Sequence, residues 1–377
     1  MNPTQSPTVT HVEIFRFNIP FTTPVATSLG TFTHAASLLV RVHSSDGLYG
    51  TGESSPIGAI TGESQDTSLA ASQVLADGLI GKDPYEIEAR LAEMSGSFHH
   101  ASATRAAYDL ALYDLLGKKA NLPLYALLGG QKRTILTDIT LPMVAPEAMA
   151  ALAVEYVSQG YQALKLKLGT SKQEDVARVR AIRLAVGPGV ALRLDANQAW
   201  DYPTAAGILR ALETFDIQYC EQPVPHWDID SLRRLRQSCA IPIMADESLF
   251  DHRDAFRLAE TQAVDYFNIK LAKSGGIHNA LKINAIGEAA GIRCMVGCMF
   301  ETRLGLGAAA HLASARPNII FADLDASLYH SEDPIIGGIH LSAGKIELPD
   351  APGLGADVKA EALAAMDRVV VGDNLKY

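Results

Sequence analysis

Ala163-Leu-Lys-Leu-Lys-Leu168, Ala191-Leu-Arg-Leu-Asp195, Gln218-Tyr-Cys-Glu221 and Pro242-Ile-Met-Ala-Asp246 are four short apolar runs, each followed by a stretch of helical period, and they decide the fold. Runs this short, bounded by polar residues, read as buried strands of a parallel sheet. The rhythm extends both ways. Residues 134–140 supply a candidate strand upstream, and 266–269, 293–298 and 319–323 supply three downstream, which makes eight. Between them, segments such as 146–160, 229–238 and 277–290 carry apolar residues on one face at helical spacing. Strand and helix alternating in this way predict an α/β protein built on a (β/α)7β TIM-like barrel, with a doubly wound open sheet as the competing arrangement.

The chain ahead of residue 134 has another character. Residues 11–19 alternate, and 38–43 turn through Asp46-Gly47 into 48–52, a hairpin signal. Two helix-period segments follow, 85–94 and 104–119, with Leu128-Gly129-Gly130 placed to close the second. Residues 1–130 are therefore expected to form an N-terminal α+β capping domain and 131–349 the barrel. Segments 338–341 and 345–348 suggest a further hairpin. The tail from about 350 to 377 is expected to fold back and complete the cap.

Composition narrows the function. Of 377 residues, 48% are hydrophobic and 20% charged, the balance of a folded globular enzyme. A net charge of −10 without a basic run argues against nucleic acid as a partner. No apolar stretch reaches membrane-spanning length, and the first ten residues lack a signal-peptide pattern. Cys220, Cys239, Cys294 and Cys298 have no CxxC spacing. A reduced, cytoplasmic protein with no membrane partner is expected.

Barrel active sites are assembled at the C-terminal ends of successive strands. Asp195, Glu221, Asp246 and Lys270 end the third to sixth strands at intervals of 26, 25 and 24 residues, about one β/α unit each. One such carboxylate is commonly a helix cap or a surface group; three in phase point to a site. An all-oxygen set without His or Cys suits Mg2+ better than zinc. On the second strand, Lys165 and Lys167 alternate with leucines and share one face, which packing alone does not explain unless the strand is a solvated edge. Strand two lies opposite strand six in a ring of eight, so Lys167 and Lys270 should face each other. Two bases on opposite faces of one carbon are what a racemase or epimerase needs, with the metal holding a carboxylate and stabilising an enediolate. Nearby positive charge is expected to lower the lysine pKa values. The remaining arc ends in Thr140, Cys298 and the pair Asp323 and Asp325. These two aspartates either shape a loop or bind the cationic end of a substrate. Cys298 reads equally well as a small buried residue.

With Lys165-Leu-Lys167, Asp195-Ala-Asn197, Glu221-Gln-Pro223, Asp246-Glu247 and Asn268-Ile-Lys270 in this order, the chain resembles the muconate-lactonizing subgroup of the enolase superfamily over nearly its whole length. Gly297-Cys298-Met299 and Asp323-Leu-Asp325 are similar to the dipeptide epimerase family within it. The resemblance implies Lys167 and Lys270 as the catalytic bases, Asp195, Glu221 and Asp246 as Mg2+ ligands, and Thr140, Lys165, Cys298, Asp323 and Asp325 as contacts to a dipeptide. It also implies that capping loops near 22–32 and 56–64 read the substrate side chains, and that the protein assembles as a homo-oligomer. Members acting on L-Ala-D/L-Glu resemble Leu-Arg-Thr in the first loop, where this chain has Leu29-Gly30-Thr31. Gly30, Ile57 and Ile60 at these specificity positions, with Pro24 and Val25 nearby, favour small or apolar dipeptides. Glu63 reads either as a contact for a cationic substrate or as part of a helix start.

Other readings keep much of this pattern. N-acylamino acid racemase, o-succinylbenzoate synthase and muconate cycloisomerase would use the same metal and lysines, and the Asp323/Asp325 pair is the feature that favours dipeptides. A metal-free Schiff-base barrel lyase and a non-enzymatic binding protein are the alternatives of other classes.

Overall fold

A computed structural model of the chain describes residues 6–27, 30–98 and 100–372. The N-terminal half-barrel cover starts as antiparallel sheet: strands Val9–Thr27, Gly30–Ser44 and Tyr49–Ser54 pair in sequence, and Arg368–Val371 from the far end of the chain adds to the first, with Val12 opposite Val371. Helix Ser102–Ala120 lies directly on the third of these strands. Gly50 and Gly52 make that approach possible, because a Cβ at either would sit 1.9 Å from a carbonyl oxygen, of Ala111 or Ala107. The helix ends at Asn121, which takes a left-handed φ of 54° and donates its N–H to Gly117 and Lys118. The expectation that Gly129 and Gly130 close it is corrected. They follow a separate short helix, Leu124–Leu127, and asparagine does the capping because its short polar side chain tolerates that conformation.

Eight parallel strands then follow in spatial order: Ile139–Leu141, Ala163–Lys167, Ala191–Asp195, Ile217–Glu221, Ile243–Ala245, Tyr266–Lys270, Arg293–Gly297 and Ile319–Ala322. Helices link each to the next, the first being Pro146–Ser158 and the last Arg303–Ala315. First and last strands meet through a parallel bridge between Thr137 and Ala322. The last strand is followed by the 3-10 turn Ala326–Leu328 instead of an eighth helix, so the architecture is (β/α)7β. No helix among the described residues is long and apolar enough to cross a membrane.

The expected first strand at 134–140 is in fact two. Ile135–Leu136 pairs antiparallel with Lys345–Glu347, the second arm of the hairpin begun by His340–Ser342, and only Ile139–Leu141 enters the barrel. The chain changes sheets at Thr137 and Asp138. The Thr137 N–H bonds to the hairpin at Gly344, its hydroxyl accepts from Leu324, and the Asp138 N–H reaches Ala322. Alternation of apolar residues continues across the switch, so periodicity alone cannot reveal it.

Cover and barrel are joined by carboxylates placed at helix N-termini, where four backbone N–H groups lack partners. Glu53 accepts from the N–H and hydroxyl of Thr302 (3.0 and 2.7 Å) and from the Gly305 N–H (3.1 Å) at the start of Arg303–Ala315. Asp109 accepts from Ile277 and His278 (2.6 and 3.1 Å) at the start of Ile277–Ala290. Gly276 leaves room for it: a Cβ there would lie 2.1 Å from the Asp109 carboxyl carbon. Asp114 gathers Thr51, Leu354 and Lys118, which ties the C-terminal segment to the same helix. Burial pushes the pKa values of Glu53 and Asp109 up to about 7.

The linkage that follows has a definite sign. Because its folded pKa lies above the unfolded value near 4.5, Glu53 binds more proton when folded. Its contribution is fully present below pH 4.5 and is lost as pH rises through about 7. The neutral isostere Glu53→Gln should therefore cost more stability at pH 5 than at pH 8. Urea denaturation at the two pH values tests this, and an equal cost at both would show that Glu53 does not titrate in that window.

Candidate active site

The strand register brings the chemistry to one end of the barrel. Lys167 is paired with Asp195, and Asp195 with Glu221, on adjacent strands, so the three side chains point inward at one level. Lys165, one layer deeper and almost wholly buried, places its ammonium 2.7 Å from Asp323, 2.8 Å from Glu221 and 3.0 Å from Asp195. Lys167 lies 2.7 Å from Asp195 and 2.9 Å from the Asn197 carbonyl oxygen. Across the ring, Lys270 lies 2.9 Å from Asp246. The four strand-end residues expected from spacing and the two lysines expected from alternation are thus brought to one end of the barrel.

Each charge is set by its neighbours. Burial works to raise the Asp195 and Asp246 pKa values, but Lys165 and Lys167 hold Asp195, and Lys270 and Lys273 hold Asp246, below the usual carboxylate range. Burial and the charge of Asp195 push Glu221 up to about 7; burial and Asp246 push Glu247 up to about 8. Burial works to lower the Lys270 pKa, and contact with Asp246 outweighs it, so the value rises. Lys165 rises for the same reason, with Asp195, Asp323 and Glu221 around it. At Lys270 the touching carboxylates outweigh Lys165, the neighbouring positive charge expected to lower its pKa. In the protein's own field the touching carboxylates dominate.

The donor set fits a hard divalent cation. Glu247 Oε2 and Asn268 Oδ1 are buried acceptors with no hydrogen-bond donor, Glu221 Oε2 meets only the Lys165 ammonium, and Asp195, Glu221 and Asp246 are wholly buried oxygen donors with no imidazole among them. Lysine ammonium groups stand between these carboxylates. The one group of three ligand-type side chains within 4.8 Å of one another, among the described residues, lies on the opposite wall: Cys298, Asp323 and Asp325. Its carboxylates are already met by Lys165, by the Thr140 N–H (2.8 Å) and by the Tyr329 hydroxyl (3.2 Å). Carboxylate oxygens held in place by such donors can accept in turn from an organic ammonium. Burial, then Asp323 and Asp325, push the Cys298 thiol well up, which keeps it protonated and gives it no nucleophilic character.

These groups face a cavity of about 500 Å³. Lys165, Lys167, Lys270, Thr140, Cys298, Asp323 and Asp325 line it from the barrel, and Val25, Phe32, Ile57 and Ile60 from the cover. Gly30 stands opposite Thr27 at the start of its strand and is not part of the lining, while Leu29 lies outside the described residues. Glu63 is not available to a cationic substrate. Its carboxylate accepts from the N–H groups of Ala103 and Thr104 (2.8 and 3.0 Å) at the start of Ser102–Ala120.

Several site residues escape a search for polar strand ends. Lys273, one helical turn beyond Lys270, bonds to the Asp246 carboxylate and to the Asn268 carbonyl (3.2 Å). Asn268 donates to Glu221 at 2.6 Å, and Asn197 to Glu247 at 3.2 Å. Gln222, at φ 35°, uses its side-chain oxygen to accept from Asp246 and Ser248 (2.9 and 3.1 Å) and its amide to donate to Val224 and Ser248. Asn197, Gln222 and Asn268 stand inside motifs already quoted from the sequence; for Lys273 the signal is its place at i+3 from a strand-end lysine.

The family model Enolase C-terminal domain-like matches residues 148–362, and Mandelate racemase / muconate lactonizing enzyme, N-terminal domain matches 9–129. The chain is 42% identical over 365 residues to the D-Ala-D/L-Ala epimerase of Cytophaga hutchinsonii, covering 96% of this chain and 99% of that one. It is 46% identical over 347 residues to the hydrophobic dipeptide epimerase of Enterococcus faecalis, covering 92% and 98%. A crystal structure of the dipeptide epimerase from Cytophaga hutchinsonii, complexed with Mg and D-Ala-L-Val, is similar at a TM-score of 0.95 and 42% identity, over 97% of this chain and all of that one.

Replacing Gln222 by Leu would leave the buried N–H groups of Asp246 and Ser248 without acceptors. A loss of about 1–3 kcal/mol for each such group is expected, read as a lowered urea midpoint. An unchanged midpoint would mean that the loop carrying Asp246 does not depend on this side chain.

Proposed function

The chain belongs to the mandelate racemase/muconate lactonizing enzyme family of the enolase superfamily, and on that premise we propose that it is a Mg2+-dependent dipeptide epimerase acting on small or apolar dipeptides. The observation that carries the reading is the entry of Lys167 and Lys270 into one cavity from the second and sixth of eight strands. An α-carbon between two such groups can lose its proton to one and regain it from the other on the opposite face.

Asp195, Glu221 and Asp246 would hold the Mg2+, which supplies positive charge for the substrate carboxylate as the α-proton departs. The remaining work belongs to the chain. In this reading Lys167 exchanges the proton of the R-configured C-terminal residue and Lys270 that of the S-configured one, by analogy with the family. Asn197 keeps the Lys167 ammonium aligned toward the cavity. Asp323 and Asp325 receive the substrate's ammonium, while Thr140, Lys165 and Cys298 complete the contacts. The apolar wall of Val25, Phe32, Ile57 and Ile60, with no arginine lining the cavity among the described residues, supports neutral side chains over acidic ones. The name of the Enterococcus faecalis relative points the same way. Division into a cap over 1–130 completed by 350–377 and a barrel over 131–349, cytoplasmic residence and homo-oligomeric assembly belong to the same proposal.

Incubation with a dipeptide library and Mg2+ in deuterated water should add one deuterium at the C-terminal residue's α-carbon, read by mass. Chelation by EDTA should stop it, and EDTA-insensitive turnover would favour the Schiff-base alternative. Asp325→Asn should lower kcat/KM for dipeptides about 100-fold or more, the effect of unpairing a buried ion pair worth ~3 kcal/mol. Exchange of N-acylamino acids but of no dipeptide would overturn the assignment.

A further inference from the structure

The cavity does not stop at the acidic pair. Beyond Asp325 its lining continues through Ile139, Leu152, Tyr156 and Tyr161 to the exposed Gln159. These residues belong to the first strand, to helix Pro146–Ser158 and to the turn that follows it. The topology explains why the space exists. That helix packs on one flank against Lys172–Val186. On its other flank an eighth barrel helix would stand, and the chain supplies only the turn Ala326–Leu328 there. Tyr156 and Tyr161 meet edge to face at 5.9 Å and both feel the charge of Asp325. The recess therefore opens directly beside the acidic pair.

We propose that this recess is the binding site for the side chain of the substrate's N-terminal residue, and that it takes large neutral side chains, while Phe32, Ile57 and Ile60 of the cover read the C-terminal residue. The inference rests on the epimerase reading and deepens it. With the substrate's ammonium at Asp323 and Asp325, two directions are closed to the side chain on the same carbon. The barrel floor below is closed by the buried, mutually bonded Lys165, Asp323, Arg193 and Asp138. A buried, charged floor refuses an apolar group. The space over Lys167 and Lys270 is claimed by the C-terminal residue, whose side chain meets Ile57, Ile60 and Phe32 in either configuration, since inversion moves the proton from face to face and leaves the other three substituents nearly in place. The recess remains. Its walls carry no charge, and its two phenols and the Gln159 amide can bond a neutral polar tip.

The test is a pair of selectivity ratios, from kcat/KM measured by deuterium incorporation with Mg2+: Leu-Ala over Ala-Ala for the N-terminal position, and Ala-Leu over Ala-Ala for the C-terminal one. Leu152→Trp, on a half-exposed helix face, should lower the first ratio at least about tenfold and leave the second within twofold. Ile60→Trp should do the reverse. Gln159→Glu, at the exposed mouth, should raise Lys-Ala relative to Leu-Ala severalfold without moving Ala-Lys relative to Ala-Leu, and it tests the same assignment if the tryptophan variant does not fold. Ratios that stay put in folded variants, or that move in the C-terminal series instead, would overturn the recess assignment. Absence of exchange from every dipeptide by the unaltered protein would instead remove the epimerase reading beneath it.

Discussion

Everything at the mouth of this barrel depends on one electrostatic constraint: several carboxylates buried together stay ionised only where positive charge meets them. Asp195, Glu221 and Asp246 are supplied with it by Lys165, Lys167, Lys270 and Lys273, each of which touches at least one of them. Neither set could be buried alone. The same constraint places Asn268, Asn197 and Gln222, whose amides fill bonding positions that lysines leave open and fix the loops on which the acids ride. A network of this density holds its members in place, as the two-base exchange proposed above would require.

The cover serves that network by a different use of carboxylates. Glu53 and Asp109 dock on the N-termini of the helices that follow the seventh and sixth strands, so the apolar wall of Ile57, Ile60 and Phe32 is held over the barrel mouth by bonds to the barrel's own backbone. Burial raises both acids to about 7, so the joint is strongest below that pH, where they are protonated. Phe300, from the loop after the seventh strand, sits 5.0 Å from both Phe21 and Phe32 and completes the seam in apolar contact. Shape at the top of the cavity is thus a property of the joint between the two parts.

Much of the site was legible before any coordinates. Spacing of about one β/α unit between Asp195, Glu221, Asp246 and Lys270 has a direct physical meaning, because each unit returns the chain to the same end of the sheet. Alternation at Lys165 and Lys167 likewise states which way both side chains point. The switch of sheets at Thr137 was not legible, since alternation survives a change of partner. Nor was the upward shift of Lys270, which follows from a 2.9 Å contact with Asp246 that depends on how two neighbouring strands are staggered. Glu63 carried two readings, and only the position of Ala103 and Thr104 above it chose between them.

Sequence by itself determined the alternation of eight strands with helices, and which carboxylates and lysines end those strands. These are consequences of period and phase along one chain, and local chemistry is enough to state them. Tertiary structure decided the rest: which ammonium meets which carboxylate, which capping residues reach the cavity, and that the flank left open by the missing eighth helix extends the cavity past Asp325. Those outcomes depend on distances between residues far apart in the chain, and no local pattern encodes a distance of that kind.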